Sequence, residues 1–466
     1  MQDVVLRMML RIRRMIWTKD YLRMELNMKL LHITTHMGGG AGNAISDIII
    51  RDRKNEHRLI CLQGCEKRQF VDRCVKKGIC VLEQPEESIM SEEIEHTDIL
   101  ILHWWHHPVM CGFLARFPKI PCRLVLWSHI SGCTYPMLRK SFVDLFDRVF
   151  MTSPYSYDNP EWHNAECEEI RKKSDIVYGL GNLEAFRFEI PSGQTDEKFV
   201  VGYVGTLGNA KIHENFTEFC EEVINRIPQT RFLMVGDLAD AGWLLKEIEQ
   251  KRLGEYFEFT GYCVDVKSQL TKMDVFGYPL NKKHFGTTEN ALLEAMTAKL
   301  PVVALNQNTE KYIVSHLNTG MLVGDKQEYA DAMDTLYRDP QLRKAMGERA
   351  RAAVLEKYSV QRNMEVFLSG LELVREREKR FVSFEAQSGK QPYEWFLSGL
   401  GTVEKRWFQD SLKKGWEREL AEDRIRTCMP ILRAKSKCSV FQFAEYYPDD
   451  QVLRRWKKII EKGEQR

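Results

Sequence analysis

The residues of this chain best suited to chemistry are two carboxylates on a short stretch that also carries glycine and threonine. In chain order they are Gly286, Thr287, Thr288, Glu289 and Glu294. Threonine favours the start of a helix, where unpaired N–H groups attract phosphate. Carboxylates accept hydrogen bonds from sugar hydroxyls, whereas a site for a bare anion would exclude them. The set predicts a ligand with both groups, such as a sugar nucleotide; the alternative is an ordinary amphipathic helix with solvated glutamates.

The elements around this stretch are those of a parallel sheet. A predicted strand over 274–280 precedes it and the apolar run 301–305 follows, so the unit is strand, loop, helix and strand. Further predicted strands begin near residues 30, 58, 98, 124, 148, 176, 199, 231 and 257. Helices are predicted over 44–51, 214–226, 329–336 and 340–356. The alternation predicts an α/β fold with two Rossmann-like parallel-sheet domains.

The stretch resembles the donor-binding segment of the retaining glycosyltransferases of family 4, which have the GT-B fold. Their pattern has two glutamates separated by seven residues. Phe-Gly comes after the first glutamate, and Ala-Met follows the second. Phe285-Gly286 and Glu294-Ala295-Met296 match this pattern. The eighth residue before Glu294 is Gly286 and not an acid, so either Glu289 replaces the first glutamate or the loop is remodelled.

The resemblance implies a reaction and a set of residues. It implies transfer of a sugar from a nucleoside diphosphate donor, with retention, to a glycan or lipid-linked acceptor, in bacterial surface polysaccharide or glycan assembly. His129, Lys211 and Glu294 would be catalytic. Alternatively, His129 is a core histidine and Lys211 an exposed loop residue. The donor-binding residues would be Gly39, Gly40, Gly205, Thr206, His213, Tyr262, Gly286, Thr287, Thr288, Glu289 and Asn290.

Three of these donor-binding assignments depend on where the residues stand in the sequence relative to the family's own site. His213 would stand in for an arginine that many relatives carry. Tyr262 would stack on the nucleobase, although aromatic core filling is the commoner role. Gly39 and Gly40 belong to a glycine-rich loop over 36–43 that faces the donor in the family. A dehydrogenase would need a third glycine, where Asn43 stands, and an acid after the second strand, which offers none.

A metal site is not indicated. His103, His106 and His107 follow the strand over 98–102, but no carboxylate or cysteine stands at ligand spacing, and strand alternation separates neighbouring side chains. These histidines fit the lining of an acceptor cleft better. No Asp-x-Asp lies at a predicted strand end, so the expected reaction uses neither metal nor cofactor beyond the sugar nucleotide.

The composition narrows the class of protein and its expected location further. The 466 residues are 44% hydrophobic and 29% charged with a net charge of +2, which gives no case for nucleic-acid binding. Residues 1–29 and 381–466 each carry +4, which leaves −6 for the body. Such ends suit a peripheral contact with the inner membrane face, or are simply solvated. Twelve scattered cysteines, no convincing secretion signal and no transmembrane run indicate a cytoplasmic protein.

The predicted organisation has two domains and an appendage. Its segments are a basic extension (1–28), a first Rossmann-like domain on the acceptor side (29–183), a linker (184–197), a second Rossmann-like domain on the donor side (198–369), a second linker (370–392) and a helical appendage (393–466). The extension could lie on a membrane, but a natural start at Met28 is the favoured interpretation. The appendage is hypothesised to contact a membrane or a partner.

Two other functions share this architecture. A nucleotide-sugar epimerase would bind the same donor and need no acceptor. A catalytically degenerate sugar-nucleotide-binding subunit would bind the donor without consuming it, and the glycine at the position of the first glutamate favours that alternative.

Overall fold

The structure is a computed structural model that describes residues 27–181, 183–188, 198–284, 286–434 and 438–464. Most of the predicted N-terminal extension and of the linker over 184–197, together with Phe285, lies outside these residues. Among the described residues, no helix combines the length and the apolar character that crossing a membrane requires.

The first domain is built on a seven-stranded parallel sheet in the order β3-β2-β1-β4-β5-β6-β7. Its strands are β1 (Lys29–Thr34), β2 (Glu56–Cys61), β3 (Cys80–Glu83), β4 (Ile99–Trp104), β5 (Leu124–Ser128), β6 (Arg148–Met151) and β7 (Ser174–Ile176). Its helices are α1 (Gly39–Arg51), α2 (Gln69–Val75), α3 (Glu87–Glu95), α4 (Pro108–Ala115), α5 (Lys140–Val143) and α6 (Asn164–Lys172). Strands β4 and β5 are completely buried and, apart from His103 and Ser128, apolar, as central strands of a parallel sheet are.

The second domain is built on a six-stranded parallel sheet in the order β10-β9-β8-β11-β12-β13. Its strands are β8 (Phe199–Val204), β9 (Thr230–Val235), β10 (Phe257–Gly261), β11 (Val275–Tyr278), β12 (Val302–Leu305) and β13 (Met321–Val323). Its helices are α7 (Phe216–Arg226), α8 (Gly242–Gln250), α9 (Val266–Leu270), α10 (Asn290–Thr297), α11 (Glu310–Ile313), α12 (Lys326–Arg338) and α13 (Pro340–Lys357). The prediction of two parallel-sheet α/β domains is confirmed.

The remaining helices return to the first domain. They are α14 (Val360–Arg375), α15 (Glu385–Ser388), α16 (Pro392–Ser398), α17 (Thr402–Asp410), α18 (Trp416–Arg426), α19 (Pro430–Arg433), α20 (Val440–Tyr446) and α21 (Gln451–Glu464). Phe367 of α14 packs on Trp127 and Phe150 of the first sheet. Trp395 and Trp456 lie in one buried cluster with the first domain's own core. The predicted C-terminal helices therefore extend the hydrophobic core of the first domain.

One helix boundary was predicted wrongly. The sequence predicts a loop through Asn43 and a helix from Ala44, whereas α1 begins at Gly39. The glycines permit this because Gly42 lies directly against the carbonyl of Met37, where a β-carbon would overlap it. A glycine-rich run therefore makes a tight helix start here and not an extended loop.

Candidate functional site

A cleft of about 710 Å³ lies between the two domains. In each sheet the strand order reverses at one point, between β1 and β4 in the first and between β8 and β11 in the second. Loops that follow these strands line the cleft, with His36 and Trp105 from one domain and Lys211 and Glu289 from the other. Ligands of open α/β sheets bind at such points.

The first domain supplies the start of α1. Gly39 and Gly40 both line the cleft, as predicted for donor-binding residues. Gly39 has a φ of +63°, which favours glycine, and a β-carbon on Gly40 would lie 3.6 Å from the side-chain amide of Asn290. The backbone conformation therefore favours glycine at 39, whereas Gly40 lies in ordinary contact with the second domain.

The second domain supplies a buried ion pair. Nζ of Lys211 lies 2.6 Å from Oε2 of Glu289, and the same oxygen accepts the hydroxyl of Tyr278 at 2.7 Å. Burial raises the pKa of Glu289, but Lys211, His284 and Tyr278 outweigh it, so the net pKa is lowered. The carboxylate is thus charged, while its second oxygen, Oε1, is buried and has no hydrogen-bond donor among the described residues.

Glu289 occupies the space beside Gly286. A β-carbon on Gly286 would overlap Oε1 of Glu289 and would lie 2.7 Å from Nζ of Lys211. The backbone of Glu289 is left-handed, with a φ of +51°, which is uncommon for a residue other than glycine. The carboxylate of Glu289 therefore takes the place of a side chain at 286, the position of the acid that the sequence pattern lacks.

The predicted threonine cap is wrong. Helix α10 begins at Asn290, and neither Thr287 nor Thr288 caps it. The hydroxyl of Thr288 instead joins the domains, because it donates to the carbonyl of Thr152 at 2.9 Å and accepts from the N–H of Gly179 at 3.0 Å. Thr287 and Thr288 still line the cleft.

Asn290 makes a second contact between the domains. Its side-chain amide donates to the carbonyl of Gly179 at 3.0 Å, and its Oδ1 is buried without a donor among the described residues. The backbone N–H groups of Thr287, Thr288 and Asn290 have no acceptor within that part of the chain. The start of α10 thus presents free amides beside Lys211, which together suit an anion.

His129 lies across the cleft, immediately after β5. Its Nε2 is 3.0 Å from Nδ1 of His103, and its backbone N–H donates to the carbonyl of Trp104. Burial lowers its pKa to about 3, so the ring is neutral at physiological pH. A neutral imidazole at this place can accept or donate one hydrogen bond toward a ligand.

Glu294 does not line the cleft directly. It lies one turn after Asn290 on α10 and hence on the same side of the helix. Its carboxylate approaches Gly181 of the first domain, where a β-carbon would lie 4.0 Å from Oε1. Burial raises its pKa to about 7, so the carboxylate titrates close to neutrality.

Four predicted donor-binding residues lie outside the cleft lining. Gly205 and Thr206 form a turn that packs on Tyr203, whose hydroxyl donates to the carbonyl of Thr206 at 3.0 Å. The ring of His213 packs on Phe219 with centroids 4.9 Å apart. Tyr262 is 67% exposed, so it does not fill the core. It faces Lys67 of the first domain, whose Nζ lies 5.8 Å from the ring centroid.

The three neighbouring histidines do not share a site. His103 lies on one face of the sheet between His32 and His129, with one ring nitrogen 3.0 Å from each of them. His106 is buried against Tyr135 and Phe443, whereas His107 lines the cleft. The described residues contain no group of three or more His, Cys, Asp or Glu side chains arranged to hold a metal ion.

Sequence reasoning missed one wall of the cleft. This wall is formed by C-terminal residues, namely Ile431, Cys438, Gln442 and Tyr446. The side chain of Gln442 lies 3.2 Å from Nε2 of His107, and the thiol of Cys438 lies 3.0 Å from the carbonyl of Trp105. Only the tryptophan-rich composition of this segment signalled that it folds, and nothing in it indicated a place at the cleft.

Residues 185–353 match the family model described as glycosyl transferases group 1. The capsular polysaccharide biosynthesis glycosyltransferase CapM of Staphylococcus aureus is 26% identical over 43% of this chain and 56% of its own length. The alpha-D-kanosaminyltransferase of Streptomyces kanamyceticus is 28% identical over 41% of this chain and 54% of its own length. The chain thus spans about half the length of these curated relatives.

Solved structures share the fold over a larger part of the chain. The Anabaena protein Alr3699/HepE, solved in complex with UDP and glucose, superposes with a TM-score of 0.58 at 16% identity, over 74% of this chain and 100% of its own. A glycosyltransferase from Rickettsia africae superposes with a TM-score of 0.59 at 14% identity, over 75% of this chain and 100% of its own. The architecture is therefore the GT-B fold.

Proposed function

We propose that the protein is a glycosyltransferase, because residues 185–353 match the family model described as glycosyl transferases group 1. It moves a sugar from a nucleoside diphosphate to a glycan or lipid-linked acceptor, with retention at the anomeric carbon. Surface polysaccharide or glycan assembly is the proposed setting, because the relative CapM is named for capsular polysaccharide biosynthesis. The reaction takes no metal or cofactor besides its co-substrate.

One observation carries this proposal: Lys211, the free amides at the start of α10 and the carboxylate of Glu289 meet in one cleft. The ammonium and the amides suit a diphosphate, whereas the carboxylate suits sugar hydroxyls. A ligand that carries both a diphosphate and a sugar fits these groups best.

The residues divide the chemistry between the two domains. Lys211 and the amides of α10 stabilise the charge that builds on the departing diphosphate. His129 contacts the sugar from the first domain and orients it. The carboxylates that line the cleft are Glu289, which is paired with Lys211, and Glu66 of the first domain. The proposed step is the one that the family resemblance implies, a same-face transfer assisted by the leaving phosphate, in which the acceptor hydroxyl gives its proton to that phosphate.

A panel of nucleoside diphosphate sugars tests the proposal. A donor that raises the melting temperature is identified first, because a ligand that binds only the folded state stabilises it. That donor is then incubated with and without candidate acceptors, and NMR follows the anomeric configuration of the product. Transfer with retention is expected. Epimerisation without acceptor, or binding without donor consumption, would establish one of the competing functions and refute the proposal.

Location is a separate part of the proposal. We place the protein in the cytoplasm, in peripheral contact with the inner membrane face, because the segment 381–466 carries a charge of +4. Flotation with vesicles tests this contact. Co-flotation with anionic but not with neutral vesicles is expected, and flotation with neither would refute it.

A further inference from the structure

A continuous line of four histidines runs through the first domain from a buried aspartate to the cleft. Oδ2 of Asp52 lies 3.0 Å from Nε2 of His57. Nδ1 of His57 lies 2.9 Å from Nε2 of His32. Nδ1 of His32 lies 3.0 Å from Nε2 of His103, and Nδ1 of His103 lies 3.0 Å from Nε2 of His129. Every ring thus meets its neighbour through the same pair of nitrogens.

The strand register creates this line. His57, His32 and His103 lie on β2, β1 and β4, and His129 follows β5; these strands are adjacent in the sheet. Leu30 pairs with His57, so His32 lies two residues further along. The same step of two residues recurs at each following strand. Because side chains alternate along a strand, a step of two keeps every histidine on one face of the sheet.

The histidines of the line are buried, and the carboxylate of Asp52 lies at one end of it. Burial lowers the pKa of His32 and of His103 well below the usual value, and that of His129 to about 3. Burial also raises the pKa of Asp52, but hydrogen bonds from His57, Asn55 and Lys54 outweigh it and lower the pKa to about 2. An ionised carboxylate therefore ends a row in which His32, His103 and His129 are neutral.

This arrangement gives the row a direction. An ionised carboxylate only accepts hydrogen bonds, so Nε2 of His57 carries the proton that points at Asp52. In its neutral form His57 has only this one N–H, so its Nδ1 then accepts from Nε2 of His32. In the same way, Nδ1 of His32 accepts from Nε2 of His103, and Nδ1 of His103 accepts from Nε2 of His129. The proton of His129 is therefore on Nε2. Nδ1 of His129, which has no partner among the described residues, keeps a lone pair.

We propose that Asp52 sets the tautomer of His129 through His57, His32 and His103, so that Nδ1 of His129 accepts a hydroxyl of the bound sugar. The four distant side chains are positioning residues, and only His129 touches the ligand. The contact with a sugar rests on the proposed function, whereas the tautomer itself does not. No side chain of the row other than His129 lines the cleft.

Substitution Asp52→Asn reverses the row. Oδ1 of Asp52 accepts the backbone N–H groups of Lys54 and Asn55, at 2.9 and 3.3 Å, so these hold the carbonyl oxygen of an asparagine. Its NH₂ group then takes the place of Oδ2 and donates to Nε2 of His57, while the side-chain amide of Asn55, which donates to Oδ2 at 2.7 Å in the wild type, loses this acceptor. The single proton of each ring must then move from Nε2 to Nδ1. His129 therefore carries its proton on Nδ1. The cleft thereby loses an acceptor and gains a donor.

Long-range ¹H–¹⁵N NMR of the full chain, labelled on histidine nitrogens, measures this directly. His129→Asn identifies the resonances of His129 by their loss. We expect protonated Nε2 in the wild type and protonated Nδ1 in Asp52→Asn. The wild-type spectrum tests the direction of the row even where the variant does not fold. A wild-type His129 protonated on Nδ1, or a tautomer unchanged by Asp52→Asn, would overturn the proposal.

Asp47→Asn is the matched control. Asp47 is equally buried on α1 and pairs with Arg51 and Arg73, both at 2.7 Å, but touches no histidine of the row. We expect Asp52→Asn to lower kcat/KM about 10- to 100-fold and Asp47→Asn to change it less than about twofold. A reversed tautomer with unchanged kcat/KM would refute the sugar contact. A wild type with the expected tautomer but no transfer would refute the proposed function alone.

Discussion

The ammonium of Lys211 and the carboxylate of Glu289 form a buried ion pair, although the two residues follow different strands at the switch point of the second sheet. The side chain of Lys211 is 11% exposed and that of Glu289 is 2% exposed. Lys211 thus reaches the cleft already oriented by its partner. The pair joins the proposed diphosphate site to the proposed sugar site.

Replacing Lys211 is expected to cost both stability and activity. Lys211→Met leaves Glu289 as an unpaired buried charge, so the free energy of unfolding should fall by about 3 kcal/mol. Turnover should fall at least about 100-fold, because the charge on the leaving diphosphate loses its cation. Thermal unfolding and initial rates measure the two losses separately.

The double variant Lys211→Met/Glu289→Gln separates these effects. It removes both charges, so most of the lost stability should return, since a neutral pair needs no buried counter-ion. Turnover should stay low. Recovery of near-native turnover together with stability would show that the pair is only structural.

Gly286→Ala is expected to weaken donor binding without any change in charge. The new β-carbon overlaps Oε1 of Glu289 and crowds Lys211, so the pair must move away from the cleft. The apparent affinity for donor should fall about tenfold or more. Gly254→Ala is the control, because a β-carbon there meets nothing within 4 Å. Equal affinities in the two variants would contradict the assigned geometry.

The stability of the protein should depend on Glu294 above pH 5. Burial raises the pKa of this carboxyl from 4.5 to about 7. The folded state therefore binds the proton more tightly than the unfolded state, and this stabilisation is lost as pH rises from about 4.5 through 7. The advantage of Glu294→Gln over the wild type should grow by about 3 kcal/mol between pH 5 and pH 8. Denaturant unfolding at both pH values measures it, and parallel curves would disprove the assignment.

Two tryptophans of the C-terminal helices should respond very differently to truncation. Trp456 of α21 is completely buried among Phe396 and Phe408, so Trp456→Ala should lower the free energy of unfolding by about 3–5 kcal/mol. Trp416 of α18 is 72% exposed, so the free energy of unfolding of Trp416→Ala should lie within about 0.5 kcal/mol of the wild-type value. Denaturation melts compare them. Similar losses in both would mean that the segment does not pack on the first domain as described.

The periodicity of apolar residues and the short apolar runs were enough to predict the two sheets. A short apolar run between turn residues and helices has few alternatives to a buried parallel strand. The strands predicted near residues 30, 124 and 257 are present as β1, β5 and β10. The family resemblance assigned Lys211 and His129 to the donor site, and both line the cleft, where the carboxyl ends of the parallel strands meet.

The details of the site depend on contacts between distant segments. The hydroxyl of Thr288 bonds across the domains and not to its own helix, a choice that local propensity does not reveal. The place of Glu289 depends on the empty space beside Gly286. The line from Asp52 to His129 requires the register of four strands, which one sequence does not supply.

Binding of free nucleoside diphosphates tests the central claim most directly. Titration calorimetry of the wild type and of Lys211→Met/Glu289→Gln, which keeps the net charge and is expected to fold, compares the two proteins. We predict that at least one nucleoside diphosphate binds the wild type, and that its affinity falls about tenfold or more in the double variant. Equal affinity in both proteins, or no binding by the wild type, would contradict a diphosphate site at Lys211.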